Sequence, residues 1–389
     1  MSLEQRITHA WQRDSLWLKL LLPLSWLFRA VSGLRRGYLQ SRHQGRGFTV
    51  PVIIVGNISV GGSGKTPLIV ALVKALKQRG FKPGVVSRGY GGKAASYPLM
   101  VNAQTAVAES GDEPLLIAQL AQCPLVVDAD RRAAVAYLLS HHDCDVVLSD
   151  DGLQHYRLHR DIEIVVIDGQ RGFGNGRSLP AGPLREGPGR LGQADFVVVN
   201  GSPSMALDLG DIRSDQMNIA PRRMTHLCSA ESQPIEQWLQ EHVLAEHVLA
   251  EHFLAEHVLA EHLLKEPLLK EPLLKEPLLK EHLLIEQSAK PVHAVAAIGN
   301  PQRFANTLEQ LGLDVELHGH DDHQALTAAD LAFEDNLPVI ITAKDGVKLV
   351  ADDNSSIADN IWVLEIEAEI ESHFIDRLTA QLQSLKTAD

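Results

Sequence analysis

Cysteine is scarce: Cys123, Cys144 and Cys228 are the only three in 389 residues, widely spaced and without a CxxC pair. That excludes a disulfide scaffold or a zinc ribbon and fits reduced thiols in a reducing compartment. Aromatic residues make up only 5% of the chain, yet Trp11, Trp17 and Trp26 are three of its five tryptophans. No uninterrupted apolar run reaches the roughly 20 residues of a spanning helix. Basic residues are also the minority, 36 against 49 acidic, for a net charge of −13. An acidic body of this kind excludes nucleic acid as a general partner. What is plentiful is apolar side chain, 45% of the total, enough for one large or two medium domains with true cores.

The first 50 residues break the charge pattern, with eight basic groups against Glu4 and Asp14, a local +6 that leaves −19 for the rest. Within them Leu16 to Phe28 carries a single charge, Lys19. On a helix Ser15, Lys19, Ser25, Arg29, Ser32 and Arg36 share one arc, with a Leu/Trp/Phe face opposite. Such a helix suits the headgroup plane of a membrane, basic groups towards anionic lipid. Packing on the protein's own core is the alternative, and a single span a third. Residues 1–46 are read as a membrane-associating leader.

From Glu241 the chain repeats every five residues, EHVLA giving way to EPLLK. Five residues turn a helix by about 140° net, so the apolar pairs line no single face. Pro267, Pro272 and Pro277 interrupt any regular helix. The five-residue interval also keeps its histidines off a common metal-binding face. The tract 241–286 reads as a low-complexity interruption of a domain.

Val50 to Val55 has the character of a buried parallel strand. The loop Gly56 to Lys65-Thr66-Pro67 follows, and then an apolar-periodic helix from Leu68. Strand, glycine-rich turn, Lys-Thr and helix form the phosphate-binding P-loop arrangement. Ser59, Val60, Gly61, Gly62, Ser63, Gly64, Lys65 and Thr66 are its candidate nucleotide-binding residues. Lys65 would reach the outer phosphates, and the Thr66 hydroxyl would ligate Mg²⁺. Ser59 stands where the strict GxxxxGK[ST] pattern has glycine. A second acidic group for the metal belongs at the end of another parallel strand. Asp150 and Asp151 end one such run and are preferred; Asp168 ends the next and could equally be a structural cap. Gly169 to Gly192 holds eight glycines, three prolines and four arginines, a candidate substrate or phosphate clamp.

Further blocks add specificity: Ser87-Arg88-Gly89-Tyr90-Gly91-Gly92, Gly111-Asp112-Glu113-Pro114, Ser149 to His155, and Leu179 to Glu186. Later come Ile298 to Phe304, Asp322-His323 and Thr342 to Leu349. Together with the P-loop these resemble the tetraacyldisaccharide 4′-kinase (lipid A 4′-kinase) family along nearly the whole chain outside the repeats. Gln324 and Ala343 depart from it, standing where histidine and glutamate are usual.

The resemblance implies an enzyme that moves the γ-phosphoryl group of ATP to the 4′-hydroxyl of a tetraacyl glucosamine disaccharide 1-phosphate. Its cofactors would be ATP and Mg²⁺, and its place the cytoplasmic face of the bacterial inner membrane. Its partners would be the lipid disaccharide and the membrane surface, with no obligate protein partner. It carries the catalytic roles to Asp112 and His323, beside Lys65 and Arg185, and adds Glu186 to Thr66, Asp150 and Asp151 as metal ligands. The alternatives are a kinase of a soluble acceptor and a membrane-associated nucleotide switch. A GTP-dependent switch would need NKxD, and Thr342-Ala343-Lys344-Asp345 lacks its spacing.

The expected architecture is α/β: a P-loop NTPase-type doubly wound, mostly parallel sheet over 47–194, with a smaller α/β lobe over 195–389 interrupted by the repeats.

Overall fold

The computed structural model of the chain describes residues 3–13, 15–43, 47–203, 207–244, 291–349 and 359–387. The repeat tract beyond Leu244 lies outside the described residues.

Thirteen strands form one sheet. In chain order they are β1 (Val52–Gly56), β2 (Pro83–Ser87), β3 (Leu99–Val101), β4 (Leu125–Val127), β5 (Val146–Asp150), β6 (Ile162–Asp168), β7 (Phe196–Asn200), β8 (Asp215–His226), β9 (Ser232–Pro234), β10 (Pro291–Ala296), β11 (Asp314–Gly319), β12 (Val339–Thr342) and β13 (Ile361–Ile370). Their spatial order is β11-β10-β12-β13-β8-β7-β6-β1-β5-β2-β4-β3, with β9 beside β8. Among the described residues the pairing is parallel except at β3–β4, β8–β9 and β8–β13. The α/β, mostly parallel architecture expected from the sequence is therefore what is found.

β1, β5, β6 and β7 are buried along their whole length. That is why they read as continuous apolar runs and not as alternating ones. Chain order reverses on the two sides of β1, which lies between β6 and β5. Such a switch point opens a crevice at the carboxyl ends of the strands. Gly56, Asp150, Asp168 and Asn200 all stand at those ends.

The expected lobe boundary at 195 meets a continuous sheet. β7 pairs with β6 and so extends the P-loop half. β8 then joins β7 on one side and β13 on the other, carrying the sheet into the second half. The last helix, Ser372–Thr387, returns to the first half, where Phe374, Ile375, Leu378 and Leu382 share a core with Leu68, Leu72 and Leu76. Phe374 meets Phe196 edge-on at 5.2 Å.

The leader forms a 3₁₀ turn, Leu16–Leu21, running into the helix Leu22–His43. Leu16–Arg42 is long and apolar enough to cross a membrane by length and composition. Two members of its polar arc are claimed by the protein while Lys19 and Arg29 stay exposed: Ser25 is buried, donates to Ser178 O at 2.9 Å and accepts from Ala181 N at 3.0 Å. Arg36 pairs with Glu186 at 3.6 Å. Trp17, Leu20, Leu24, Leu27, Val31, Leu34 and Tyr38 face outward, Leu20 being 83% and Leu34 75% exposed. Their spacing of three and four residues makes one continuous apolar stripe. The orientation expected from the sequence, with basic groups turned to lipid, is thus reversed at Arg36, whose charge is taken up by the protein.

Candidate active site

β1 delivers the chain into the glycine-rich loop, and the helix Lys65–Gln78 begins directly after it. Gly64 adopts φ +91°, and a Cβ there would meet the Asn200 amide at 2.3 Å, so only glycine fits. Asn200 in turn donates to Ser63 O at 3.0 Å. The glycine-rich segment 169–192 folds over the loop: Val60 N donates to Pro183 O at 2.9 Å and Arg185 N to Ile58 O at 2.7 Å. Ser59 bridges Leu184. Arg171 donates to Gly62 O. Ser63 Oγ and Asn57 Oδ1 are buried with no hydrogen-bond partner, which is uncommon unless a ligand completes the site.

Lys65, the first residue of the helix, lies 3.4 Å from Asp151, and Arg185 donates to the same carboxylate at 3.2 Å. Burial would raise the Asp151 pKa, but these two cations hold it below the ordinary value. Asp150 is the opposite case. Burial, with Glu113 and Asp151 nearby, pushes it up to about 7 despite Lys65 and the Ser87 hydroxyl. Ser87 Oγ donates to Asp150 Oδ2 at 2.9 Å, and Oδ1 has no partner. Thr66 sits in the first turn of the helix. Glu186, expected as a metal ligand with Thr66, Asp150 and Asp151, is engaged by Arg36, by Arg190 at 3.4 Å and by Gln154 at 2.8 Å. Asp168 accepts from Gln170 N and Arg171 N and pairs with Arg303 at 3.1 Å, the environment of a structural cap.

Asp112 and His323, 211 residues apart in the chain, are in direct contact, with Asp112 Oδ2 2.9 Å and Oδ1 3.2 Å from His323 Nδ1. Gly111 opens the turn into the helix Asp112–Ala121 with φ +84°, and a Cβ on it would strike Tyr90 O at 2.3 Å. The Ser-Arg-Gly-Tyr-Gly-Gly and Gly-Asp-Glu-Pro blocks are therefore one packed unit. Tyr90 leans on the His323 ring at 5.0 Å between centroids. Asp112 is buried, which alone would raise its pKa; the His323 hydrogen bond, Lys344 and Lys348 win and lower it. The same hydrogen bond raises His323 against burial and Lys344.

The second half contributes residues that sequence spacing did not single out. Lys344 Nζ reaches Glu113 at 3.2 Å, Asp322 at 3.3 Å and His323 Nε2 at 3.3 Å. Lys348 bonds Asp345 at 2.8 Å and lies 3.9 Å from Asp112. Arg303 ties the two halves together through Asp168 and through Asn200 at 2.8 Å. All three lie inside blocks quoted above, so only block membership marked them. A cavity of about 500 Å³ opens between the loop, the helix Leu3–Gln12 and the second half, lined by Trp11, Val60, Arg171, Pro183, Gly299 and Asp322.

A phosphate-binding loop at the switch point of a mostly parallel sheet, with lysine and aspartates converging on it, defines a P-loop NTPase-type protein. Comparison with known proteins narrows this. A family model described as tetraacyldisaccharide-1-P 4′-kinase matches residues 17–383. A tetraacyldisaccharide 4′-kinase of Hahella chejuensis is 38% identical over 388 residues, 98% of this chain and 97% of that protein. The one from Ectopseudomonas mendocina is 40% identical over 386 residues, 99% of each. A crystal structure of LpxK from Aquifex aeolicus in complex with ATP superposes with a TM-score of 0.66 at 23% identity, covering 95% of this chain and 99% of that one. This chain belongs to the tetraacyldisaccharide 4′-kinase family.

Proposed function

We propose that the chain transfers the γ-phosphoryl group of ATP to the 4′-hydroxyl of a tetraacyl glucosamine disaccharide 1-phosphate, as the names of its relatives indicate. One observation carries the reading: an acid–base pair, Asp112 and His323, stands beside the phosphate loop, Lys344 joining His323 to Asp322, which lines the same cavity as Val60 and Gly61.

Residues 59–66 hold the triphosphate, the helix N-terminus and the backbone N–H groups after Val60, whose own N–H is taken by Pro183 O, facing its oxygens. Lys65 and Arg185 neutralise the charge that builds on the transferred group. Asp150, Asp151 and Thr66 suit Mg²⁺: the donors are hard oxygens, and the unpartnered Asp150 oxygen is a buried carboxylate in need of a cation. Bound Mg²⁺ would supply charge neutralisation for the triphosphate. Glu186, tied to Arg36, fits a role in fastening the leader to the loop.

Asp112 is buried behind His323, whose side chain is the more exposed of the two. The imidazole is therefore the partner an acceptor hydroxyl can meet, with Asp112 accepting from Nδ1–H and strengthening Nε2 as a base. The hydroxyl proton ends on Nε2. Lys344 now donates to that nitrogen and withdraws to Glu113 and Asp322 when the acceptor enters.

The leader's outward stripe suits the acyl-chain boundary of a bilayer, where the lipid acceptor resides, and ATP as the donor assigns it to the cytoplasmic face of the inner membrane. Replacing Leu20 and Leu34 together by glutamate is expected to lower sedimentation with anionic lipid vesicles by about 10-fold or more, with ATP affinity unchanged. Unaltered vesicle binding would remove the stripe from the membrane contact. Deleting 241–285 is expected to leave turnover within about 2-fold, because insertions in connections cost little in closure entropy. A folded but inactive deletion protein would give the repeats a function.

The direct test incubates the protein with γ-labelled ATP and the tetraacyl disaccharide 1-phosphate in mixed micelles. Label on the lipid is expected. Label on a deacylated disaccharide at an equal rate would favour a soluble acceptor, and transfer from GTP alone would overturn the choice of nucleotide.

A further inference from the structure

At the outer edge of the sheet, away from the phosphate loop, β10 and β11 bring together a group of side chains that phosphoryl transfer does not use. His293 on β10 lies directly across from Glu316 on the edge strand β11. His318 follows two residues later, on the same face of the strand as Glu316. His293 Nδ1 is 3.0 Å from His318 Nε2 and 3.6 Å from Glu316 Oε2, His318 Nε2 is 3.8 Å from Glu316 Oε1, and one ligand atom from each residue lies within 4.8 Å of the others. Ligand atoms on a tetrahedral zinc ion with bonds of about 2.0–2.1 Å are separated by roughly 3.3 Å. The imidazole pair is slightly closer than that and each carboxylate oxygen slightly farther from its nearer imidazole, so a small turn of the exposed Glu316 side chain brings one oxygen to both nitrogens.

The surroundings also match a metal site. Asp335 lies against the far nitrogen of His293, 3.0 Å from Nε2. A carboxylate there fixes the proton on Nε2 and leaves the Nδ1 lone pair free for a cation, the usual outer support of a metal-bound histidine. His293 is buried, and Phe333 stacks on it at 3.8 Å and 15° and lies 4.7 Å from His318. Both rings are therefore held in place.

We propose that His293 Nδ1, His318 Nε2 and a Glu316 carboxylate oxygen bind a divalent transition-metal ion, zinc by ligand type, with water completing the tetrahedron. The ion would clamp the edge strand to β10. β11 runs through Gly319 and His320 into the turn bearing Asp322 and His323, and His320 N is bonded to Ala296 O at 2.9 Å. The site is thus a structural brace for the strand that presents the catalytic base.

The test titrates EDTA-dialysed full-length protein with Zn²⁺ calorimetrically, beside His318→Gln, Glu316→Gln and Asp335→Asn. Other histidines, including those of the repeats, contribute equally to every trace, so the site appears as a difference. The wild type is expected to take up about one more equivalent than His318→Gln or Glu316→Gln. Co²⁺ should give it the visible bands of a tetrahedral ion that both variants lack. Asp335→Asn should weaken the site by about 10- to 100-fold. Superimposable Zn²⁺ titrations of the wild type and a folded variant would overturn the proposal and leave a hydrogen-bonded imidazole pair. Glu316 is exposed, so its replacement provides that comparison even if His318→Gln fails to fold.

Discussion

Lys65→Ala is expected to lower phosphoryl transfer by about 10³-fold or more while leaving the fold intact. The side chain pairs with Asp151 and its work is electrostatic, from the first turn of a helix whose N-terminus already favours anions. Its loss also removes one of the two cations that form ion pairs with Asp151, so the Asp151 pKa should rise. Circular dichroism and thermal unfolding would establish that the variant is folded. A folded Lys65→Ala protein with near-normal turnover would contradict the assignment of this loop to the triphosphate.

Asp112→Asn is expected to lower kcat by about 10²-fold or more, and to change the pH dependence as well as the rate. The hydrogen bond that His323 donates to Asp112 is the largest influence raising His323, while Asp112 itself is held low and stays ionised at neutral pH. A base must be unprotonated to accept the hydroxyl proton. In the wild type, activity should therefore rise with pH through a transition above the ordinary histidine value of 6.5. Asparagine removes the main raising influence, so the acid limb should move to lower pH even as the plateau falls. A merely structural loss would lower the plateau without moving the limb. A plateau and limb both unchanged would take Asp112 out of the mechanism.

The parts of the site legible in the sequence are those built from consecutive residues. The phosphate loop declares itself because strand, glycines, Lys65 and Thr66 must follow one another for backbone N–H groups to converge. Asp150 and Asp151 are visible for a related reason, since a buried parallel strand is a continuous apolar run with a clear end. Asp112 and His323 are different. Their 2.9 Å contact spans 211 residues and depends on the strand order of the whole sheet, so no spacing rule reaches it; resemblance to a family supplied it.

Arg303 and Lys344 were hidden by the same long-range topology, each a long cation from the second half ending among first-half carboxylates. The leader shows a subtler limit. Helical periodicity separated its polar and apolar arcs, but not which members of the polar arc the protein would claim. Ser25 and Arg36 found partners at Ser178, Ala181 and Glu186, and the apolar stripe was left outside. The second-half boundary was likewise blurred, because β7 and the last helix pack back onto the P-loop half.

Calorimetric titration with ATP tests the central claim most directly. The intact protein should bind about one equivalent, and Lys65→Ala should weaken that binding by about 10-fold or more. No heat at millimolar ATP, or an identical isotherm for the folded variant, would contradict it.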